Sequence, residues 1–116
     1  MRYLLLIYTG ETADQAATAE DAQQTMKEYG EFTQWLVDSG MMLGGEALQS
    51  TATATTVRVR DGSTLTTDGP FAETKEQLGG FYLVEVDHLD DAIKAASMIP
   101  GAQRGSIEVR PIMEFE

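Results

Sequence analysis

The chain has 116 residues and no cysteine, which excludes disulfides, thiolate metal sites and thiol catalysis. Its length fits one domain spanning residues 1–116. Nineteen acidic residues against eight basic ones give a net charge of −11. That charge repels phosphate backbones and anionic bilayers, so neither nucleic acid nor a membrane is expected as a partner. The apolar run over residues 3–8 is too short for a signal peptide or a membrane span, and we expect a cytoplasmic protein.

The N-terminal third is predicted to form a strand and a helix. Arg2–Thr9 is rich in leucine and isoleucine and apolar on both faces, which is typical of a strand buried on both sides. A polar connection, Glu11–Thr18, follows. Thr18 and Asp21 have the spacing of a capping box, and the helix is expected to run from there to about Asp38.

The apolar spacing of this helix predicts which of its sides is buried. One stripe at helical spacing is formed by Met26, Tyr29, Thr33, Leu36 and Val37. Trp35 lies roughly opposite that stripe, with Phe32 on its flank. We therefore interpret Trp35 as a rim or interface residue.

The middle of the chain is predicted to be strand-rich. Strands are expected at Met41–Gln49, Thr53–Arg60 and Ser63–Thr67. Gly44 and Gly45 interrupt the first of these and indicate a bulge. Asp61-Gly62 is typical of a two-residue hairpin turn between the other two.

The last third is predicted to be a loop, a strand, a helix and a final strand. Asp68–Leu78 is expected to be a loop with a helical turn, and Phe81–Val86 a strand that is apolar on both faces. Asp87 is expected to cap a helix that ends at Met98. That helix carries Leu89, Ala92, Ile93 and Ala96 at helical spacing, and Ser106–Arg110 alternates as the last strand.

The order of elements predicts an α+β fold with a ferredoxin-like, or split βαβ, arrangement once the short hairpin return is set aside. Two helices cover only one face of such a sheet, yet two strands are apolar on both faces. A second copy of the chain, packed sheet to sheet, covers the other face most simply, so we expect a homodimer. The alternative is that long connections fold over that face.

Few residues suggest chemistry. Glu46 follows two glycines within a strand and either points inward, where burial suits a carboxylate to proton transfer, or outward into solvent. His88 is the only histidine and lies in an acidic run at a helix start, where a solvent-facing position is expected. No metal and no cofactor are expected.

The segment Asp68-Gly69-Pro70-Phe71 has the chemistry of a turn, because Asp accepts backbone hydrogen bonds, Gly permits a positive φ and Pro fixes the next φ. Phe71 is expected to hold the loop in an apolar site. Glu73 and Lys75 follow, and two interpretations are open for them: a solvated charge cluster, or residues that line the mouth of a pocket.

The run Asp68–Tyr82 resembles the DGPF-domain family, a branch of the YCII-related proteins, and the resemblance extends over nearly the whole chain. It includes Arg2–Tyr8, Gly44–Leu48 and Val109–Phe115. The resemblance implies a dimeric α+β barrel of ferredoxin-like subunits with a cavity between sheet and helices. The wider group is thought to use a His–Asp pair with the His on the first helix; this chain has no His there, and Tyr29 or Phe32 stands near that place.

Two functional hypotheses follow. The first is a homodimer that binds a small organic molecule and performs metal-free proton transfer of the isomerase or lyase kind. Glu46 is then the base, Tyr8 or Tyr29 an orienting donor, and Asp68 and Phe71 shape the loop over the pocket. The second is a non-catalytic regulatory module that binds a protein through Trp35 and an acidic helical surface. A sigma factor is the suggested partner, because some members of the resembled family are encoded near, or fused to, alternative sigma factors.

Overall fold

Two helices and two antiparallel sheets make up the part of the chain that the structure, a computed structural model, describes: residues 1–10 and 18–115. The strands are β1 (Arg2–Thr9), β2 (Met42–Ala47), β3 (Thr55–Arg60), β4 (Ser63–Asp68), β5 (Gln77–Glu85) and β6 (Ser106–Pro111). The helices are α1 (Ala19–Asp38) and α2 (Leu89–Met98), with short 3₁₀ turns at Thr51–Thr53 and Pro100–Gln103. The fold is α+β, as the sequence predicts, and neither sheet closes into a barrel within this chain.

The main sheet has four strands in the order β2-β5-β1-β6, all antiparallel to their neighbours. Alternation along β1 separates two faces. Leu5 pairs with Tyr82 on one face, and Leu4 and Leu6 pair with Leu83 and Phe81 on the other. We call this second face, centred on Leu4, Leu6, Phe81 and Leu83, the open face, because both helices pack on the first.

The core lies between the helices and the first face of the sheet. It consists of Tyr3, Leu5, Ile7, Phe32, Leu36, Tyr82, Val84, Val86, Ala92, Ala95, Ala96 and Ile99. The Phe32 ring meets the Tyr82 ring edge-on, with centroids 5.2 Å apart. This contact seats α1 on β5.

The strand and helix predictions for the N-terminal third are confirmed, but the buried side of α1 differs from the expected one. The capping box forms, with Asp21 N donating to Thr18 Oγ1 at 3.1 Å and Thr18 N donating to Asp21 Oδ2 at 3.3 Å. Met26 and Val37 are exposed instead of buried, and Phe32 lies in the core. The helix is rotated relative to the predicted stripe because the Phe32–Tyr82 contact places the larger aromatic ring against the sheet.

Strand boundaries in the second half also differ from those expected. The strand predicted to begin at Phe81 begins at Gln77, since Thr9 and Tyr8 extend the pairing to Gln77 and Leu78. Within the described residues 71–76 there is no helical turn. A bulge lies in β2 between Met42 and Gly44, close to the predicted position.

The α2 helix is capped and buried differently from the prediction. Its N-cap is His88 rather than Asp87, without a side-chain capping bond, and His88 is exposed as expected. Leu89 and Ile93 are half exposed, and the buried residues are Ala92, Ala95 and Ala96. Small alanine side chains let the helix backbone approach the sheet closely. The alanine stripe therefore faces the core, and the larger Leu89 and Ile93 do not.

The β3–β4 hairpin forms a separate two-stranded sheet, which we call the arm (Thr55–Asp68). Its predicted turn is confirmed, with positive φ at Asp61 (52°) and Gly62 (77°). No residue of the arm is buried. The radius of gyration is 16.1 Å, against about 13 Å for a compact chain of this length, because the arm projects away from the main sheet.

The polar connection predicted after Gly10 falls mainly on residues 11–17, which lie outside the described residues. Among the helices that the structure describes, none combines the length and apolar character that crossing a membrane requires.

Candidate functional site

A cavity of about 350 Å³ lies between α1 and the β2 edge of the main sheet. Residues of α1 and of the three strands β1, β2 and β5 line it: Ile7, Thr9, Tyr29, Thr33, Met42, Gly45, Glu46, Ala47, Gly79, Gly80, Phe81 and Tyr82. Its size and mixed lining are those of a small-molecule site.

Hydroxyl groups are the main polar feature of this cavity. The Thr33 and Tyr82 hydroxyls form a hydrogen bond of 2.8 Å between α1 and β5. The Tyr29 hydroxyl accepts a hydrogen bond from the backbone N–H of Gly101 at 3.1 Å. The edge-on packing of Phe32 fixes the Tyr82 ring, so its hydroxyl is held in one place.

Glycines keep the sheet side of the cavity free of side chains. A Cβ at Gly45 would lie 2.9 Å from the carbonyl oxygen of Phe81, and a Cβ at Gly80 would lie 2.9 Å from that of Glu46. Any larger residue would force β2 and β5 apart. The two glycines therefore provide both the close pairing of these strands and the open space above them.

Glu46 is the only charged residue among those lining the cavity. It is exposed, and it pairs in register with Phe81, which lies on the sheet face opposite Tyr82. Of the two positions left open by the sequence, the exposed one is found. Glu46 borders the cavity at its β2 rim and is separated by the sheet from the hydroxyl pair.

Tyr8 and Tyr29, the two candidates for an orienting donor, lie on opposite sides of β1. Tyr29 lines the cavity. Tyr8 follows Leu4 and Leu6 in the alternation of β1, pairs with Ser106, and is not among the lining residues described. The structure thus brings Tyr29 and Glu46 to one cavity and leaves Tyr8 outside it.

The Asp68–Phe71 turn closes the base of the arm rather than the cavity. Gly69 has a φ of 97°, and its N–H donates to the carbonyl of Ala54 at 2.7 Å. The Thr56 hydroxyl donates to the Gly69 carbonyl at 2.9 Å. Asp68 is exposed and Pro70 is half-buried.

Phe71, Glu73 and Lys75 do not line the described cavity. The expected burial of Phe71 is wrong, since its side chain is 80% exposed. The turn is held by backbone hydrogen bonds and needs no aromatic anchor. Glu73 and Lys75 are also exposed, which agrees with the interpretation of a solvated charge cluster.

Thr33 and Tyr82 are the site residues that sequence reasoning missed. One signal was present: Thr33 is a hydroxyl residue within an otherwise apolar helical stripe. Tyr82 occupies a core-facing strand position, where a buried phenol needs a partner. Nothing in the sequence links the two, because they are 49 residues apart.

Shifted acid–base groups lie away from the cavity. Hydrogen bonds from Arg2 to Glu114, at 2.8 and 2.9 Å, lower the pKa of that carboxyl and raise the pKa of the guanidinium. No group of three or more metal-ligating side chains able to hold an ion is found among residues 1–10 and 18–115.

Two comparisons with known proteins match the whole chain. The family model for the YCII-related domain matches residues 1–116. An uncharacterised protein of Rhizobium meliloti (strain 1021) is 38% identical over 118 residues, covering 100% of this chain and 95% of its own length. With the full-length match and this relative, the chain belongs to the YCII-related domain family.

Proposed function

We propose that this protein is a homodimer of ferredoxin-like subunits, paired as an α+β barrel, whose subunit cavity binds a small organic molecule. The observation that carries the proposal is the cavity under α1, in which the Thr33–Tyr82 hydroxyl pair stands among apolar side chains and glycines. The strand order β2-β5-β1-β6 supports the subunit topology. The apolar open face supports the pairing of two sheets.

The lining favours an uncharged ligand with an apolar body and one hydroxyl or carbonyl group. No lysine, arginine or histidine is among the lining residues described. An anion would therefore lose its hydration without gaining a cationic partner. One proton of the Thr33–Tyr82 pair is used between the two oxygens, and the second hydroxyl is suited to bond a ligand.

A binding experiment with matched probes tests this proposal. Benzyl alcohol and benzoate have the same ring and differ mainly in charge. In an NMR titration we expect benzyl alcohol to shift the amide signals of Gly45, Gly80 and Thr33, and benzoate to leave them unchanged. Thr33→Val and Tyr82→Phe each keep the shape and are expected to weaken binding by about tenfold. Equal binding of both probes, or of neither, would contradict the proposed ligand class.

The catalytic form of the proposal assigns proton transfer to Glu46 and orientation of the ligand to Tyr29. Glu46 is the one charged residue among the lining residues described, with its side chain on the other face of the sheet from the hydroxyl pair, and Tyr29 lines the cavity with its hydroxyl bonded to Gly101. The test is Glu46→Gln in the same titration at several pH values. If affinity and its pH dependence both stay unchanged, Glu46 has no part in the site and the protein is a binder only.

The alternative, a protein-binding module, has less support, because Trp35 packs within its own subunit. This side chain is half-buried and stacks beside Phe32, with ring centroids 6.1 Å apart. Such packing gives Trp35 a role in seating α1. A pull-down partner that Trp35→Ala loses and Tyr82→Phe retains would favour that alternative over the small-molecule site.

A further inference from the structure

We infer that the arm docks against a second copy of this chain, through the exposed face formed by Val57, Val59, Thr64 and Thr66, here called the valine face. The inference rests on the homodimer of the proposed function and adds the element that holds the two subunits together. In it, each subunit extends its arm onto the other.

The arm has one side attached to its own subunit and one side unattached. Thr56 donates to the Gly69 carbonyl at 2.9 Å, and Arg58 Nη2 donates to the Phe71 carbonyl at 3.5 Å. Val57 and Val59 alternate with these residues and point the other way. They are 59% and 61% exposed and pair with Thr66 and Thr64, which are also exposed.

Such an arm is poorly supported without a partner. A two-stranded ribbon is at best marginally stable in water, and branched residues favour strands where a neighbouring surface packs against them. Each strand has six residues and reaches about 20 Å. Over the middle of that length the valine face is an uncharged strip of branched side chains, with the Thr55–Asp68 pair at its base. Such a strip is typical of a contact surface rather than of a solvated loop.

The area that a stable dimer interface buries is a second argument that the arm contacts another copy of the chain. The four central side chains of the open face are already partly buried in one chain. With about 200 Å² for a large, fully exposed side chain, their partial burial leaves at most about 300 Å² for the four together. A stable interface buries about 800 Å² on each partner. The valine face supplies apolar area beyond what the open face alone contains.

Charge favours a second copy as the occupant. With a net charge of −11, two copies repel except where their surfaces carry little negative charge. The four residues of the valine face are uncharged, and the arm as a whole has no net charge, because Arg58 and Arg60 on its other face balance Asp61 and Asp68. At the rim of the open face, Arg2 pairs with Glu114 and Arg110 with Glu108, while Glu46 and Glu85 are further exposed carboxylates on that face. The arm is therefore a part of the molecule that a second copy can approach without net charge repulsion.

The test compares the dimer affinity of three full-length proteins by analytical ultracentrifugation. Val57→Thr/Val59→Thr keeps branched side chains and strand preference while removing apolar surface. Val37→Thr is the matched control, since Val37 is 54% exposed on α1 and distant in sequence from the arm. We expect the double variant to raise the dimer dissociation constant by about 10- to 100-fold and the control to change it less than about twofold. Hydrogen exchange should show arm amides that are slower at high protein concentration in the wild type and fast in the double variant.

The outcomes separate this inference from the dimer on which it rests. If the wild type is dimeric and the double variant has the same affinity and the same arm protection, the arm is not at the interface and the inference fails alone. If the wild type is monomeric at all concentrations, the proposed dimer fails and the arm docking fails with it; small-molecule binding in the cavity is then judged by its own titration.

Discussion

At the scale of single residues, the site depends on a few positions where size matters more than polarity. Gly80 lies beneath the cavity with the Glu46 carbonyl 2.9 Å from where a Cβ would stand. Gly79, its neighbour in β5, has room, since its nearest contact would be Thr9 Oγ1 at 3.8 Å. Two adjacent glycines thus have different functions, one required by backbone packing and one tolerant of a side chain.

This difference predicts opposite effects of the same substitution. Gly80→Ala should lower the free energy of unfolding by about 1–3 kcal/mol, because β2 must move away from β5. Gly79→Ala should be neutral or stabilising by about 0.4–1 kcal/mol, because it restricts the unfolded chain without a clash. Urea denaturation of both variants is the measurement, and equal losses would show that the glycines are required for a common reason other than space.

The Arg2–Glu114 pair makes a pH-dependent contribution of known sign. Hydrogen bonds from Arg2 hold the pKa of Glu114 below the ordinary value of 4.5, against a smaller opposing effect of desolvation. The pair therefore adds stability above the unfolded-state pKa and loses it as the pH falls through the lower, folded-state value. Arg2→Gln should return the Glu114 pKa toward its ordinary value in a carbon-detected NMR titration. Arg110→Gln, which breaks the neighbouring pair with Glu108, should leave the pKa of Glu114 lowered.

At the scale of elements, α1 connects the sequence signal most directly to the site. Its start is fixed by the Thr18–Asp21 capping box, and its seat on the sheet by Phe32. The same helix then presents Tyr29 and Thr33 to the cavity. The Phe32–Tyr82 contact sets the rotation of the helix about its axis, and this rotation brings the Thr33 hydroxyl to Tyr82.

The capping box gives a prediction for this element. Thr18→Ala removes the acceptor for Asp21 N and should cost about 1 kcal/mol of unfolding free energy. Thr18→Ser retains the hydroxyl and should lie close to the wild type. Chemical denaturation followed by circular dichroism distinguishes them, and an equal loss in both variants would mean that the methyl group of Thr18, not its hydroxyl, stabilises the helix start.

At the scale of the whole molecule, the two described helices both cover the same face of the main sheet, and neither of them covers the other face. Leu4, Leu6, Phe81 and Leu83 form the centre of the open face, and the arm projects beyond the main sheet. Both features leave apolar surface exposed in the monomer, and a second subunit can bury that surface.

A charge placed on the open face tests the proposed dimer directly. Leu83→Glu should weaken the dimer on the order of 100-fold, because an unpaired carboxylate would be buried on association, while the monomer keeps its core. Leu89→Glu is the control: it changes the same residue type on α2, in the helical layer, at a helix start that favours an acidic residue. Light scattering and circular dichroism report size and fold together; a dimer that tolerates Leu83→Glu would rule out sheet-to-sheet pairing.

Local chemistry alone determined a large part of this protein. The absence of cysteine and the charge of −11 are properties of the composition. The two-sided apolar alternation of β1, the capping box at Thr18 and the turn at Asp61-Gly62 depend only on neighbouring residues, so they could be predicted. Only the tertiary structure decided the rest. Which stripe of α1 is buried depends on Phe32 meeting Tyr82 across 50 residues of sequence, and the exposure of Phe71 depends on hydrogen bonds to Ala54 and Thr56 at the base of the arm. The cavity exists because α1 packs over β2 and β5 where Gly45 and Gly80, two register positions apart, leave space on the sheet, a juxtaposition that no local pattern encodes.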